Sequence, residues 1–527
     1  MAAAVSLPAA IKPRTGLNKW GVAVAVAIGA LLEIVDTSIV NVALPQIQSS
    51  LGATLAQVTW VVSGYAVANV IILPMTAWLG DRFGKKNYFI FSLVGFTMAS
   101  ALCGLSHSLT MLVFARILQG LMGGGLLAKA QAILFETFPR EEQAMAQAFF
   151  GIIVISGPAI GPTLGGYLVT NIDWRWIFYV NLPVGVVAVM MCNAFLAEDP
   201  PKEQRSRGSV DFIEIGLLAL GLGCLQGMLE NGQEDDWFDS PTIVLLTVVA
   251  AVSLILFVGR SLRSASPVVD LRVLRYRPLW SGSLLSVVVG MALYGALFSV
   301  PIFAQTILHY TSQDTGILLV PGALASAVAM PIAGQLLKRF DPRFVLIAGA
   351  VILISQMFVL GQLTTSTGGG DLFWPLIIRQ FGTVMMFLPL SMATLGDIPK
   401  KDIGKATGIF SLTRQLGGSV GIALLSTMLG ARMVFHKAVI AEKLTAGDPQ
   451  TMQRIGAYTA GFLAHGDDLP TAKAKAMMAI DGAASVQASV LSFNDTFHAT
   501  AILLIFTLPL VIFLGKGAKG QPVDAGH

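Results

Sequence analysis

The chain has 527 residues, of which 54% are hydrophobic and only 12% are charged. Soluble domains contain about 25% charged residues, so this composition is typical of a membrane protein. The formal net charge of +4 is small and does not indicate a nucleic-acid-binding protein. The sequence has no GxxxxGK[ST] motif, and its histidines and cysteines form no metal-ligand pattern. We therefore expect no enzymatic activity, no metal, no cofactor and no ATP-driven step.

Fourteen apolar segments are long enough to cross a bilayer as helices, which takes about 20 residues. The first segment is too long for the apolar part of a signal peptide, so we predict that it is a retained span. The predicted spans are residues 20–44, 55–79, 88–108, 110–134, 144–168, 176–197, 212–230, 241–260, 280–307, 314–337, 344–363, 373–396, 405–430 and 497–515.

The basic residues between the spans alternate in number along the chain. If the N-terminus is cytoplasmic, most of the 34 Lys and Arg residues lie on the cytoplasmic side, and the short outside loops contain only Arg175. This is the distribution that the positive-inside rule describes, and it predicts that both termini are cytoplasmic. The long last outside loop, residues 431–496, is not expected to follow the rule.

Two pairs of features indicate an internal repeat. The loop AWLGDRFGKK (77–86), after span two, resembles GQLLKRFDPR (334–343), after span ten. Arg116 occurs early in span four, and Arg379 occurs at the same relative place in span twelve. Two related helical halves are common in secondary transporters, which bind substrate between them. We predict an all-α polytopic membrane protein with a six-helix bundle at 1–199, two inserted helices at 200–278 and a second six-helix bundle at 279–527.

Span one contains two acids, Glu33 and Asp36, in the segment LLEIVDTSIVNVALP. On a helical wheel they share one arc with Thr37 and Asn41, and the opposite face is aliphatic. We therefore predict that all four side chains face a common cavity. An ionised acid at mid-membrane costs about 3 kcal/mol on insertion scales, and binding a proton removes part of that cost. Both acids are candidate proton carriers; the alternative is a fixed ion pair with a neighbouring helix.

Four basic residues lie within predicted spans. Arg116 is predicted at a depth similar to that of Asp36, where its movement relative to the acid would load or release a proton. Alternatively, Arg116 only binds helix backbones. Lys129 either extends its ammonium group toward the cytoplasm or adds a second positive charge to the cavity. Arg379 and Arg414 are ambiguous in the same way.

The run GPAIGPTLGG concentrates small and helix-bending residues in span five. Proline kinks a helix, and small residues let membrane helices approach closely. We predict a bent helix at an interface that rocks during transport, or else simple tight packing. The residues concerned are Gly157, Pro158, Gly161, Pro162, Gly165 and Gly166.

The loop after span two begins with Asp81 and Arg82. An acid at this place can interact with the N-terminus of a helix in the other half, because that end carries a partial positive charge. Such a contact would hold one conformation of the protein. The alternative is that these charges only set the topology.

Taken together, these motifs resemble the major facilitator superfamily, in its 14-helix drug:proton antiporter branch (the EmrB/QacA type). Besides the loop and span-five motifs, the similar segments are VDTSIVNVALP (35–45), LVFARILQG (112–120) and DWRWIFYVNLPVG (173–185). The resemblance covers nearly the whole chain, although Ala77 replaces the usual first glycine of the loop motif. It implies that Asp36 is the acid of the first-helix motif and Arg116 the arginine of the fourth.

The resemblance implies export of lipophilic, often cationic drugs in exchange for protons, by alternating access in a bacterial cytoplasmic (inner) membrane. The length of the 431–496 loop resembles the EmrB subgroup, which implies a periplasmic adaptor and an outer-membrane channel as partners; a free-standing pump is the alternative. Within the loop, AKAKAMMAIDGAASVQASVL is predicted to form a helix. Two other functions stay open: a specific nutrient or siderophore uniporter or importer, and a non-transporting membrane scaffold.

Several polar, aromatic and methionine side chains are candidates for contact with a flat apolar drug, or else for packing within the bundles. These candidate substrate-binding residues are Asn41, Tyr65, Gln119, Tyr294, Phe298 and Met386.

Overall fold

The computed structural model describes residues 17–199, 210–444 and 448–514, and the regular elements in these ranges are helices. The N-terminal half begins with a long helix of 35 residues, most of which are apolar. Its helices are α1 (Leu17–Leu51), α2 (Leu55–Ile72), α3 (Thr76–Phe83), α4 (Lys85–Gly104), α5 (Leu109–Gly123), α6 (Leu126–Thr137), α7 (Arg140–Asn171), α8 (Trp176–Tyr179) and α9 (Asn181–Phe195).

Two inserted helices and the C-terminal half follow. The inserted helices are α10 (Phe212–Asn231) and α11 (Pro241–Arg263). The helices of the C-terminal half are α12 (Arg277–Thr306), α13 (Ser312–Arg339), α14 (Pro342–Leu360), α15 (Gly369–Leu395), α16 (Ile403–Lys443), α17 (Pro449–Ala464) and α18 (Leu469–Thr507).

Thirteen helical segments of the described chain are long and apolar enough to cross a membrane. They correspond to all the predicted spans except the fifth. The fifth predicted span lies within α7, a helix of 32 residues that runs between the two halves and packs against α1 and α13. The protein is therefore a multi-pass membrane protein.

The two halves pack their helices in the same pattern. In the N-terminal half, α1 packs on α7, α2 on α5, and α4 on α5 and α9. In the C-terminal half, α12 packs on α16, α13 on α15, and α14 on α15 and α18. Each contact in the first half thus has a counterpart at the equivalent helices of the second. This correspondence agrees with the internal repeat that the sequence indicates.

Span four is not one continuous helix. It is broken between α5 and α6 at the run Gly123–Gly125, where Gly125 has a backbone φ of 76°. Residues with a side chain rarely adopt that left-handed backbone conformation, whereas glycine adopts it readily. The break leaves the first backbone N–H groups of α6 inside the bundle without partners in their own helix.

The two halves meet closely at one end of the bundle. The Lys400 ammonium donates to the backbone oxygen of Glu136 at 3.1 Å, and α16 packs against α3 and α6. We call this the basic end, because α4 begins there with Lys85 and Lys86, and the turn before α16 contains Lys400 and Lys401. Toward the opposite end, Thr37 and Asn41 of α1 are exposed.

The predicted loop 431–496 is helical rather than irregular in its described part. Helix α16 continues to Lys443, α17 follows, and α18 begins at Leu469, so that α17 packs against α18. The predicted helix AKAKAMMAIDGAASVQASVL lies within α18. At the start of α17, the hydroxyl and the backbone N–H of Thr451 donate to the Asp448 carboxylate and lower the pKa of that group. We call the described part of residues 431–496 the extramembrane hairpin.

Candidate functional site

A large cavity lies between the two halves. Its volume is about 1510 Å³, including the part that is open to solvent. The inserted helix α10 contributes to the wall as well, so that the cavity is lined by both halves and by the insertion. Its polar lining includes Glu33, Thr37, Asn41, Tyr65, Asn69, Arg116, Gln226, Glu230, Tyr294, Arg379, Gln380, Thr383, Arg414, Gln415 and Ser419.

Asp36 and Arg116 form an ion pair inside the N-terminal half. The Arg116 Nη1 donates to Asp36 Oδ2 at 2.6 Å. The other carboxylate oxygen, Oδ1, accepts from Gln119 at 2.9 Å and from Asn181 at 2.8 Å. The Asp36 side chain is 0% exposed and that of Arg116 is 1% exposed. Both oxygens of this carboxylate are therefore hydrogen-bonded, and it is surrounded by four helices, α1, α2, α5 and α9.

Arg116 is bound in both of the ways that the sequence suggested. It pairs with Asp36, and its Nε also donates to the backbone oxygen of Val61 in α2 at 2.9 Å. The guanidinium lies over the ring of Tyr65, 4.3 Å from its centroid, where a cation is attracted by the ring electrons. Because Tyr65 and Arg116 line the cavity, they separate it from Asp36.

The prediction of one common cavity-facing arc on α1 is wrong for Asp36. Glu33, Thr37 and Asn41 line the cavity, whereas Asp36 points into the N-terminal half. The physical reason is that the predicted arc was wide, and two neighbouring helices, α5 and α9, supply three donors at one edge of it. A buried carboxylate is stable only where such donors meet it.

Glu33 lies at the break between α5 and α6. Its Oε1 accepts from Asn69 at 2.8 Å, and its Oε2 accepts from the backbone N–H of Leu127, in the first turn of α6, at 2.7 Å. The N-terminus of a helix attracts negative charge, because its free N–H groups and the helix dipole both point at the anion. Of the two acids of α1, Glu33 therefore lies on the cavity wall and Asp36 lies behind it.

Lys129 does not pair with Glu33 in a direct contact. Its ammonium donates to the Ser92 hydroxyl at 2.7 Å and lies 3.9 Å from the centroid of the Tyr88 ring. Tyr88 belongs to the first turn of α4, at the basic end. Lys129 also lines a groove at that end rather than the central cavity. The first of the two sequence interpretations, extension toward the basic end, fits this position.

The structure brings together only some of the predicted substrate-binding residues. Asn41, Tyr65 and Tyr294 line the cavity. Gln119 does not, because its side-chain amide is directed into the N-terminal half, where it donates to Asp36. Met386 does not line the cavity either: it is buried in the core of the C-terminal half. Its neighbour Phe387 takes the cavity face, since adjacent residues differ by about 100° around a helix.

One predicted substrate-binding residue, Phe298, lies outside what the structure describes: its helix α12 is described, and its side chain is not. The role of the predicted residues in substrate binding therefore stays a prediction.

The glycine motif of α7 packs directly against α1. A Cβ atom at Gly157 would collide with Ile34, one at Gly161 with Ser38, and one at Gly165 with Ile39. The next residue, Gly166, faces Gln313 of α13 in the other half, and Pro158 lines the cavity. Helix α7 continues through Pro158 and Pro162. This motif therefore forms close contacts within one half and also lies at the interface between the halves.

Asp81 and Arg82 lie at the basic end, in the last turn of α3 and not in a loop as the sequence predicts. Asp81 lines the groove there together with Gly404 and Lys405, which belong to the first turn of α16 in the other half. Arg82 lies over the ring of Trp78, 5.6 Å from its centroid. The position of Asp81 beside a helix N-terminus of the opposite half fits the latch interpretation.

Three residues of the site were not predicted from the sequence. Asn181 lies in the quoted segment DWRWIFYVNLPVG, and Asn69 is a single amide in an apolar span; isolated polar residues in spans were the available signal. Glu230 belongs to α10, where Gln226 donates both to it at 2.7 Å and to Ser419 at 2.8 Å. The insertion was predicted only as extra helices, and its share in the cavity follows from packing of α10 on α2 and α16.

Comparison with known proteins agrees with this architecture. The profile of the Major Facilitator Superfamily matches residues 26–422. The chain is 32% identical to the multidrug export protein EmrB of Escherichia coli (strain K12) over 515 residues, which cover 97% of this chain and 98% of that protein. It is 33% identical to the multidrug export protein EmrB of Haemophilus influenzae over 427 residues, 81% of this chain and 83% of that one.

A solved structure shares the fold at low sequence identity. The human organic anion transporter MFSD10 (TETRAN) superposes with a TM-score of 0.59 at 14% identity, covering 94% of this chain and 99% of its own. The comparisons confirm the major facilitator fold and the resemblance to EmrB-type exporters, whereas the described part of the chain has thirteen candidate spans where fourteen were predicted.

Proposed function

Because the chain belongs to the major facilitator superfamily, whose transporters bind substrate between two helical halves, we propose that it is a multidrug exporter driven by protons. The protein takes lipophilic compounds from the cytoplasmic side and releases them on the other side of the membrane. It uses the proton gradient and no cofactor. The two halves alternate between access to one side and access to the other, around the cavity that they share.

The observation that carries this proposal is the buried Asp36–Arg116 pair directly behind the cavity wall. A carboxylate that is 0% exposed is stable while Arg116, Gln119 and Asn181 hold it. If Arg116 withdraws, the carboxylate loses its counter-charge and takes up a proton. Glu33, on the wall itself, is placed to exchange protons with the cavity. Movement of Arg116 thereby links the proton to a change in the cavity.

The energy available from protons is sufficient for drug export. One elementary charge that crosses a potential of 100 mV releases about 2.3 kcal/mol, which corresponds to a concentration ratio of roughly fifty. In this scheme the basic end faces the cytoplasm of a bacterial cell, the membrane is the inner one, and both termini are cytoplasmic.

Asp36→Asn tests the proposal. The variant keeps the size of the side chain and removes its charge, so drug addition to proteoliposomes should no longer move protons. The measurement is the internal pH of liposomes when ethidium is added, with Asp481→Asn as control. Asp481 is an exposed acid on the extramembrane hairpin, paired with Lys437 at 3.0 Å. Drug-driven proton movement of normal size in Asp36→Asn would refute the role of this carboxylate.

The extramembrane hairpin is the proposed docking site for an adaptor protein. Its exposed surface includes the apolar side chains of Val434 and Met478, each 73% exposed. Replacing both with serine should reduce copurification of the adaptor from membranes by about tenfold, because buried apolar area stabilises such contacts. Transport by the purified variant in proteoliposomes should be unchanged. Copurification at the normal level would contradict this assignment.

A further inference from the structure

Two arginines of the C-terminal half line the central cavity without an acidic partner. Arg379 of α15 and Arg414 of α16 are each only 5% exposed. Neither guanidinium donates a hydrogen bond or forms an ion pair with any residue that the structure describes. Two of their nitrogen atoms, Arg379 Nε and Arg414 Nη1, are fully buried without a partner.

Such an arrangement is unusual, because a buried charge is normally paired and hydrogen-bonded. The acids of the cavity do not supply the pairing. Both oxygens of Glu33 are already held, by Asn69 and by the N–H of Leu127. Glu230 accepts from Gln226 on its own helix. Helix α12, which occupies in the C-terminal half the place that α1 occupies in the other, has no acidic residue at all.

The surroundings of the two arginines combine donors with apolar surface. Arg379, Thr383 and Phe387 lie four residues apart on one face of α15, and all three line the cavity. The Arg414 guanidinium lies over the Phe387 ring, 5.1 Å from its centroid. Leu353 and Ile422 complete an apolar wall beside them. The site therefore offers unsatisfied N–H donors next to a surface that suits an aromatic or aliphatic body.

We propose that Arg379 and Arg414 form a binding subsite for the anionic head group of amphipathic substrates, namely lipophilic carboxylates and related organic anions. The inference rests on the proposed export function and defines the substrate class of the same cavity. A carboxylate would accept the hydrogen bonds that the guanidinium groups cannot make within the protein, and arginine suits carboxylates because its planar donors match the two oxygens. The hydrophobic part of the substrate lies against Phe387, Leu353 and Ile422.

The test compares three probes that share one ring system and differ in head-group charge. They are naphthalene-1-carboxylate, the neutral naphthalene-1-methanol and the cationic naphthalene-1-methylammonium. Binding to the full-length protein in lipid nanodiscs is measured by equilibrium dialysis. The carboxylate should bind about tenfold more tightly than the alcohol, which is the gain expected of charge-assisted hydrogen bonds.

Arg414→Gln and Arg379→Gln should each reduce that preference for the carboxylate by about tenfold while leaving binding of the alcohol unchanged. Arg432→Gln is the matched control, because Arg432 lies in the extramembrane part of α16 and pairs with Asp495 there. The preference between two probes within one variant does not depend on how much protein is folded. Arg414→Lys, which retains the charge, keeps part of the preference.

Two results would overturn the subsite. One is equal binding of all three probes by the unaltered protein; the other is an equal loss of all three in the arginine variants. Ethidium-driven proton movement in the same preparation reports separately on the proposed export function. If ethidium still moves protons while the carboxylate shows no preference, the anion subsite fails and the export function stands.

Discussion

Equivalent arginines of the two halves differ in their ion-pair partners. In the N-terminal half, Arg116 lies against Asp36 at 2.6 Å, and two amide side chains complete the hydrogen bonding. In the C-terminal half, Arg379 occupies the corresponding place, and α12 provides no acid to pair with it. One half therefore contains a buried, hydrogen-bonded ion pair, whereas the other presents to the cavity an arginine that has no ion-pair partner among the described residues.

Both halves use glycine residues to pack two helices closely together. In the N-terminal half, Gly161 of α7 lies so close to Ser38 of α1 that there is no room for a Cβ atom. In the C-terminal half, Gly421 of α16 lies against the backbone of Met291 of α12, where a Cβ atom would come within 2.5 Å of the Met291 Cα atom. Close glycine packing is thus common to both halves, and the charge pattern differs. The comparison suggests that the repeat specifies the scaffold and that single substitutions within it specify the chemistry.

Removal of the acid that pairs with Arg116 is expected to have the largest effect on stability. Asp36→Ala leaves Arg116 as a buried, unpaired charge, so the free energy of unfolding should fall by about 3–5 kcal/mol. Arg379→Gln should leave it unchanged or raise it by about 1 kcal/mol, because the substitution removes a charge that has no partner. Equilibrium unfolding of both variants in detergent micelles measures the difference.

Adding Arg116→Gln to Asp36→Ala serves as the control, because it removes the stranded charge and should recover part of the loss. If Asp36→Ala and Arg379→Gln change the free energy of unfolding equally, the two arginines are not in different electrostatic situations.

A smaller effect on stability is expected where a methyl group is added at a close contact between helices. Gly161→Ala and Gly421→Ala should each lower the free energy of unfolding by about 1–3 kcal/mol, the usual range for an overpacked contact. The Gly421 variant should lose more, because the three atoms nearest its added methyl group all belong to the Met291 backbone, whereas at Gly161 only one of the three nearest, the Ile39 nitrogen at 2.9 Å, is a backbone atom. The same unfolding measurement checks both.

Gly461→Ala in α17 is the matched control, because a Cβ atom there meets nothing within 4 Å. That variant should gain up to about 1 kcal/mol from the higher helix propensity of alanine. A loss at Gly461 as large as at Gly161 would show that the effect comes from the substitution itself and not from close packing.

Much of the fold could be predicted from the sequence. The spans could be predicted because polar groups are costly in lipid, so that membrane-crossing segments are visible as long apolar runs in the sequence. The partnership of Asp36 with Arg116 also followed, because both are expensive charges at similar predicted depth. The sequence did not reveal the helical structure of 431–496 as a whole, since a segment outside the membrane shows no such constraint on its composition.

From the sequence it follows that this chain crosses a membrane many times, that it has two related halves, and that charges in its spans need partners. Which partners they have depends on how the helices pack in three dimensions. Asp36 points into the N-terminal half and not into the cavity, because three donors from other helices bind its carboxylate. Glu33 accepts from the N–H of Leu127, because span four is broken at Gly125. Arg379 and Arg414 were ambiguous in the sequence for the same reason: pairing depends on contacts between distant segments, and a pattern along one helix does not contain them.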